Sequence, residues 1–183
     1  VANHAAWLDI FVLNAAARVT FVSKSEVAGW PGIGWLARGT GTIFIRRARA
    51  EAARHQGLLE SRMQAGDRLV FFPEGTSTDG QRVLSLKSTL FEAFFSDGLR
   101  PHIKVQPVSI RYVAPAGADP RFYAWWGDMD FGPSVLKILA APRQGAVHVT
   151  YHPALDAAEY ADRKALAAAC EAAMRAGFSA AAR

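Results

Sequence analysis

Arg68-Leu69-Val70-Phe71-Phe72-Pro73-Glu74-Gly75-Thr76-Ser77 is the stretch on which the fold turns. Its apolar, partly aromatic run reads as a strand, and Pro73, which has no N–H to give a ladder, stops it. A carboxylate, a glycine and two hydroxyls then stand directly after that strand. Upstream, Arg49 to Gln64 is charged and alanine-rich, hence helical, and Gly66-Asp67 ends it. Downstream, Leu86 to Phe95 reads as a helix.

The alternation continues in both directions. Trp7 to Ala17 carries Trp7, Ile10, Phe11 and Ala17 at helical spacing, and Val19 to Ser23 is a short strand rich in β-branched and aromatic residues. Gly29-Trp30-Pro31-Gly32-Ile33-Gly34 is a loop opening a short helix to Ala37, and Thr42 to Ile45 is a buried-type strand. Ile103 to Tyr112 is a strand that Pro107 interrupts with a bulge or an end. After a loop over Ala114 to Arg121 come a strand, Ala146 to Tyr151, and a helix, Ala157 to Gly177. This pattern predicts an α/β fold, a single mixed sheet with helices packed on it. With no repeat, low-complexity linker or boundary, residues 1–183 are expected to form one domain.

With 51% hydrophobic and 20% charged residues, the chain falls among folded globular proteins. Its formal charge of +5 by itself fits a well-solvated surface, and among partners it suits nucleic acid, an anionic membrane surface or an acidic substrate. The basic residues are dispersed and no nucleic-acid-binding motif is present, so nucleic acid is the weakest of the three. The single cysteine, Cys170, excludes an intramolecular disulfide framework and a cysteine-rich zinc site. It sits in an alanine-rich helical stretch and reads as packing. Val1-Ala2-Asn3-His4 reads as the tail of a strand running into a turn, which predicts a chain trimmed of an N-terminal region. The most apolar stretch, Ile10 to Val22, is broken by Asn14 and Arg18, short of a membrane span of about 18 residues.

In α/β folds the turns after strands tend to hold the site. One candidate turn is Asn3-His4-Ala5-Ala6-Trp7-Leu8-Asp9. On a regular helix His4 and Asp9 would stand about 140° apart, at about 100° per residue. They pair only if His4 lies in the turn before the helix and Asp9 reaches back from its first turns. The carboxylate then holds one imidazole nitrogen while the other faces a substrate, a base with its orienter. Such a spacing also arises by chance, and Pro73-Glu74-Gly75 alone is an ordinary turn. His55, His102, His148 and His152 lack metal-ligand spacing and read as surface or packing residues. The aromatic run from Phe122 to Phe131 suits an acyl tunnel, a lipid interface or a core.

Together, these blocks resemble the glycerolipid acyltransferase family, whose hallmark is a histidine and an aspartate separated by four residues. Gly41-Thr42-Ile43-Phe44-Ile45-Arg46-Arg47 resembles the second family block, Phe72-Pro73-Glu74-Gly75-Thr76 the third, and Val105-Gln106-Pro107-Val108-Ser109 the fourth. They stand in family order and cover most of Val1 to Tyr151. The resemblance implies the family's α/β fold and transfer of an acyl group from a thioester to a lyso-lipid hydroxyl. The donor would be an acyl-carrier protein or coenzyme A thioester, with no cofactor or metal beyond it. His4 would be the general base and Asp9 its orienter. Attack would be direct, which fits Cys170 lying far along the chain and no serine lying in a nucleophile elbow. Arg47, Glu74 and Gly75 would bind the acceptor, with Thr76 beside them. Arg46 would share that role, and Lys24 would meet an anionic headgroup. On a strand Arg46 and Arg47 point to opposite faces, so one of them faces the site. The family setting is an anionic membrane surface, on the cytoplasmic face of the inner membrane.

Family members that acylate lysophosphatidic acid commonly carry an arginine directly after Glu-Gly-Thr, and here that position is Ser77. An anionic phosphate favours a guanidinium fork. Glu74-Gly75-Thr76-Ser77-Thr78-Asp79-Gly80, with Trp126-Gly127-Asp128-Met129-Asp130 downstream, resembles instead the bacterial branch that completes ornithine lipids. A lyso-ornithine lipid is therefore the expected acceptor, with 1-acylglycerol-3-phosphate as the alternative. A lipid ester hydrolase using the same His–Asp pair, and a non-catalytic basic lipid-binding domain, are the readings from other classes.

Overall fold

The structure, a computed structural model, describes residues 1–46 and 52–181. Two compact units emerge: Val1–Val12 with Phe72–Arg183, and Leu13–Phe71. The chain crosses between them at Val12–Leu13 and at Phe71–Phe72, each inside an apolar run that no linker composition marks.

The unit Leu13–Phe71 is built on a parallel sheet. Strand β1 (Thr20–Lys24) lies between β2 (Ile43–Ile45) and β3 (Leu69–Val70), parallel to both. Parallel neighbours require crossover connections, and helices α2 (Ile33–Gly39) and α3 (Ala52–Gln64) lie within them. Leu13, Phe21, Ile33, Ala37 and Ile43 are buried hydrophobic side chains of this unit. In the β1–β2 register Lys24 stands opposite Ile45. Lys24 and Arg46 therefore leave adjacent strands at the same, C-terminal edge.

The other unit is organised by a long antiparallel ribbon. Strand β5 (Val108–Val113) pairs with β6 (Ala146–Tyr151), Val108 opposite Tyr151. Strand β4 (Lys104–Val105) pairs with β7 (Leu155–Asp156), Val105 opposite Leu155. Between these pairs lie Gln106-Pro107 on one side and His152-Pro153-Ala154 on the other, so one side carries an extra residue. That is a bulge, placed where two prolines have no N–H to give. His152 N–H donates to Pro107 O (3.0 Å) and Gln106 Nε2 to His152 O (3.0 Å), which closes the gap. The α/β class read from the sequence stands, with parallel and antiparallel pairing both present. Among the described residues there are three sheets rather than one continuous sheet, and Pro107 and Pro153 stand at the break between the β4–β7 pair and the β5–β6 pair.

Helix α5 (Arg163–Ala180) packs on β5. Its buried Leu166, Cys170, Met174 and Phe178 recur every fourth residue and form one apolar stripe. Burial pushes the Cys170 thiol up to about 11, as suits a packing residue. The helix begins later than Ala157 because Asp162 caps it, accepting from the N–H groups of Lys164 (2.8 Å) and Ala165 (2.9 Å). Ala157–Glu159 is instead a separate 3₁₀ turn. The helix expected over Leu86 to Phe95 is a 3₁₀ segment, Ser88–Phe95. Its three-residue repeat aligns Phe91 with Phe94, ring centroids 5.8 Å apart, and Phe91 is fully buried. Helix α4 (Phe131–Leu139) completes the unit.

Along β5 the side chains alternate. Ser109 and Arg111 face α5, where Ser109 Oγ donates to Met174 O (2.8 Å) and the Arg111 guanidinium lies 4.7 Å from the Phe178 ring centroid. Tyr112 faces the other way.

Candidate active site

The site begins with a strand that ends in its own side chain. Val1 to Asn3 runs parallel to β5, with Val108 N–H donating to Val1 O (2.8 Å) and Val1 N to Gln106 O (2.9 Å). At Asn3 the side-chain amide takes over from the backbone. Its Nδ2 donates to Ile110 O (2.9 Å) and its Oδ1 accepts from Ile110 N–H (2.7 Å). Both polar groups of Ile110 are satisfied, and the main chain is free to turn at His4.

The third block grips that turn. His4 N–H donates to Glu74 Oε1 (2.7 Å), while His4 O accepts from Thr78 N–H (2.9 Å) and Thr78 Oγ1 (3.2 Å). The other Glu74 oxygen accepts from Leu84 N–H (2.9 Å). Glu74 is only 2% exposed. Burial pushes its carboxyl above the ordinary range, against the downward pull of the Leu84 and His4 N–H groups. Both oxygens are thus engaged inside the fold. Through one of them Glu74 holds the His4 turn.

Helix α1 (Asp9–Ala16) starts at Asp9, and His4 lies in the turn before it, the arrangement their spacing required. His4 Nδ1 is 2.7 Å from Asp9 Oδ2, which also accepts from the N–H groups of Ala5 (2.8 Å) and Ala6 (3.1 Å). Tyr112 Oη donates to Asp9 Oδ1 (2.7 Å). The Asp9 side chain is fully buried, while that of His4 keeps 21% of its surface. An ionised carboxylate only accepts, which assigns the ring proton to Nδ1 and the lone pair to Nε2. The imidazole stacks on Phe72, centroids 4.1 Å apart and planes 16° from parallel, so packing as well as the carboxylate sets its orientation.

Gly75 sits beside Glu74 with φ of +76°, a left-handed conformation that disfavours any side chain. A Cβ there would also stand 2.8 Å from Lys87 Nζ. Lys87 lies across the turn, its own N–H donating to Pro73 O (2.9 Å). Thr76 is exposed. Part of the aromatic run serves the core: Tyr123 is buried, the Trp125 backbone N–H donates to Ala5 O (2.9 Å), and Phe131 packs edge-on against the buried Trp7, ring centroids 5.6 Å apart. A surface hollow of about 300 Å³ is lined by Phe122, Trp126, Met129, Asp119, Arg121 and Lys137, which include two residues of the Trp126–Asp130 stretch and none of the four family blocks.

Lys24 and Arg46 belong to the unit Leu13–Phe71, while His4, Asp9, Glu74, Gly75 and Thr76 belong to the other. Arg47 lies outside the described residues, as does the side chain of His55. His102 and His148 are exposed, and His152 Nε2 lies 2.7 Å from Ser109 Oγ, a packing contact. Sequence reasoning missed Asn3, Thr78, Lys87 and Tyr112. Only Asn3 and Thr78 carried a signal, as polar residues inside the motif blocks.

Comparison with known proteins identifies the family. The acyltransferase family model matches residues 1–111. A lyso-ornithine lipid O-acyltransferase of Rhodobacter capsulatus is 58% identical over 178 residues, 97% of this chain and 64% of the relative. One from Brucella abortus is 40% identical over 188 residues, 96% of this chain and 69% of the relative. The crystal structure of the 1-acyl-sn-glycerophosphate acyltransferase of Thermotoga maritima shares the fold, with a TM-score of 0.61 and 24% identity over 98% of this chain and 64% of that one. The chain thus spans about two thirds of the length of such relatives. With the His–Asp turn, the glutamate that frames it and a family match over more than half its residues, the chain belongs to the acyltransferase family.

Proposed function

We propose that the chain carries the catalytic centre of an O-acyltransferase that moves a fatty acyl group from a thioester to the hydroxyl of a lyso-ornithine lipid. The observation that carries the reading is the buried Asp9 carboxylate 2.7 Å from His4 Nδ1, which leaves Nε2 as the base on a side chain that keeps 21% of its surface. Nε2 takes the proton of the acceptor hydroxyl as its oxygen attacks the thioester carbonyl. The tetrahedral adduct expels the thiolate, which recovers the proton from Nε2, so the thiol leaves and the ester remains. Asp9 stabilises the transient imidazolium. The donor is an acyl-carrier protein or coenzyme A thioester. Similarity to enzymes named for lyso-ornithine lipid supports the acceptor, as does Ser77 standing where a phosphate would call for arginine.

The acceptor is a membrane lipid, so the proposed place of work is the anionic, cytoplasmic surface of the inner membrane. Support comes from the net charge of +5 and from Leu136 and Leu139 on α4, 68% and 73% exposed on either side of Lys137.

Competition between lyso-ornithine lipid and lysophosphatidic acid, in anionic vesicles with full-length protein and one acyl donor, tests the reading by mass spectrometry. Lyso-ornithine lipid is expected to be acylated preferentially by about tenfold or more, the worth of one charge-assisted contact. Raising salt is expected to slow the reaction on anionic vesicles. Preference for lysophosphatidic acid would replace the ornithine assignment with the glycerophosphate one.

A further inference from the structure

We infer that Tyr112 is a positioning residue that sets the pH at which His4 becomes a base, acting through its hydrogen bond to Asp9 Oδ1. The inference deepens the proposed function and rests on His4 being the base.

Asp9 is fully buried and each of its oxygens is spoken for. Oδ2 takes the His4 ring and the N–H groups of Ala5 and Ala6, whereas Oδ1 takes Tyr112 Oη at 2.7 Å. The three donors on Oδ2 come from the same turn as Asp9. Tyr112 comes from β5, the strand that also holds Asn3 through Ile110, so turn and phenol are referenced to one rigid ladder. Among the described residues, Glu74, whose carboxylate takes the His4 N–H, stands beside the pair, and Tyr123, whose ring centroid lies 5.4 Å from that of Tyr112, stands beside the phenol. Burial first, and then the Asp9 carboxylate, push the Tyr112 phenol far above its ordinary range. It therefore keeps its proton and donates throughout the working pH range.

A donor on Oδ1 draws negative charge away from Oδ2, the oxygen that stabilises imidazolium. Removing it concentrates charge beside Nδ1, so His4 holds its proton to higher pH and the free base appears later. In Tyr112→Phe full-length protein, the acid limb of kcat/KM is expected to move up by roughly half to one pH unit. Activity just below neutrality should fall by up to about tenfold and recover at alkaline pH, with acceptor KM unchanged. A uniform loss at every pH with the limb in place, or no change, would overturn the inference. If the phenylalanine variant fails to fold, difluorotyrosine incorporated at position 112 keeps the shape and donates more strongly. The limb should then move down, and an unmoved limb counts against the inference equally. A His4→Ala protein with normal turnover would instead overturn the base assignment itself, a separate outcome.

Discussion

His4→Ala is expected to lower acyl transfer by about 10²–10⁴-fold, the usual cost of removing a general base, while the protein stays folded. The fold should survive because the contacts that fix this turn use the His4 backbone. Its N–H reaches Glu74, and its carbonyl is held by Thr78. The truncated side chain leaves Asp9 with its Ala5, Ala6 and Tyr112 donors, so no buried carboxylate is stranded. What disappears is the stack on Phe72 and the Nε2 lone pair. Initial rates with a saturating thioester, beside circular dichroism and a melting curve, check both halves. Wild-type turnover by a folded variant would remove the proposed chemistry.

Glu74→Gln should show a different signature, with stability and kcat falling together. One carboxylate oxygen becomes an NH₂ that donates, and it must face either His4 N–H or Leu84 N–H, donor against donor. Leaving one such N–H unsatisfied costs about 1–3 kcal/mol. For a domain of this size that corresponds to a fall in Tm of roughly 2–12 °C. With its N–H released, the His4 turn loses its hold on Nε2, and kcat should drop while the acceptor KM changes little. A glutamate that merely touched a headgroup would behave in the opposite way, raising KM at constant Tm. Thermal melts and steady-state kinetics on the same preparation separate the two.

Those two residues also show what the sequence can and cannot tell. His4 and Asp9 were legible because their partnership is local: a carboxylate opening a helix can reach back to the turn before it, and the ordered blocks downstream raise that spacing above chance. The Pro107 bulge was legible for a similarly local reason, the missing N–H. Glu74 was legible as a motif residue, yet not which way its side chain turns, inward to two N–H groups. Nothing in Pro-Glu-Gly fixes that direction. Tyr112 was hidden altogether, because it meets Asp9 across 103 residues and looks like one more aromatic in a strand. Helix α4 was hidden by Gly132 and Pro133, which argue against a helix in most contexts. Here they fall in its first turn, where N–H groups have no intrahelical partner and proline costs nothing.

The fate of the acyl group is the most direct measurement of all. Full-length protein with an acyl thioester and a lyso-ornithine lipid in vesicles should release thiol and form lipid ester one for one, with thiol release negligible when the lyso-lipid is withheld. Thiol released at the same rate without the lyso-lipid, matched by free fatty acid, would contradict acyl transfer and identify the His4–Asp9 centre as that of a hydrolase.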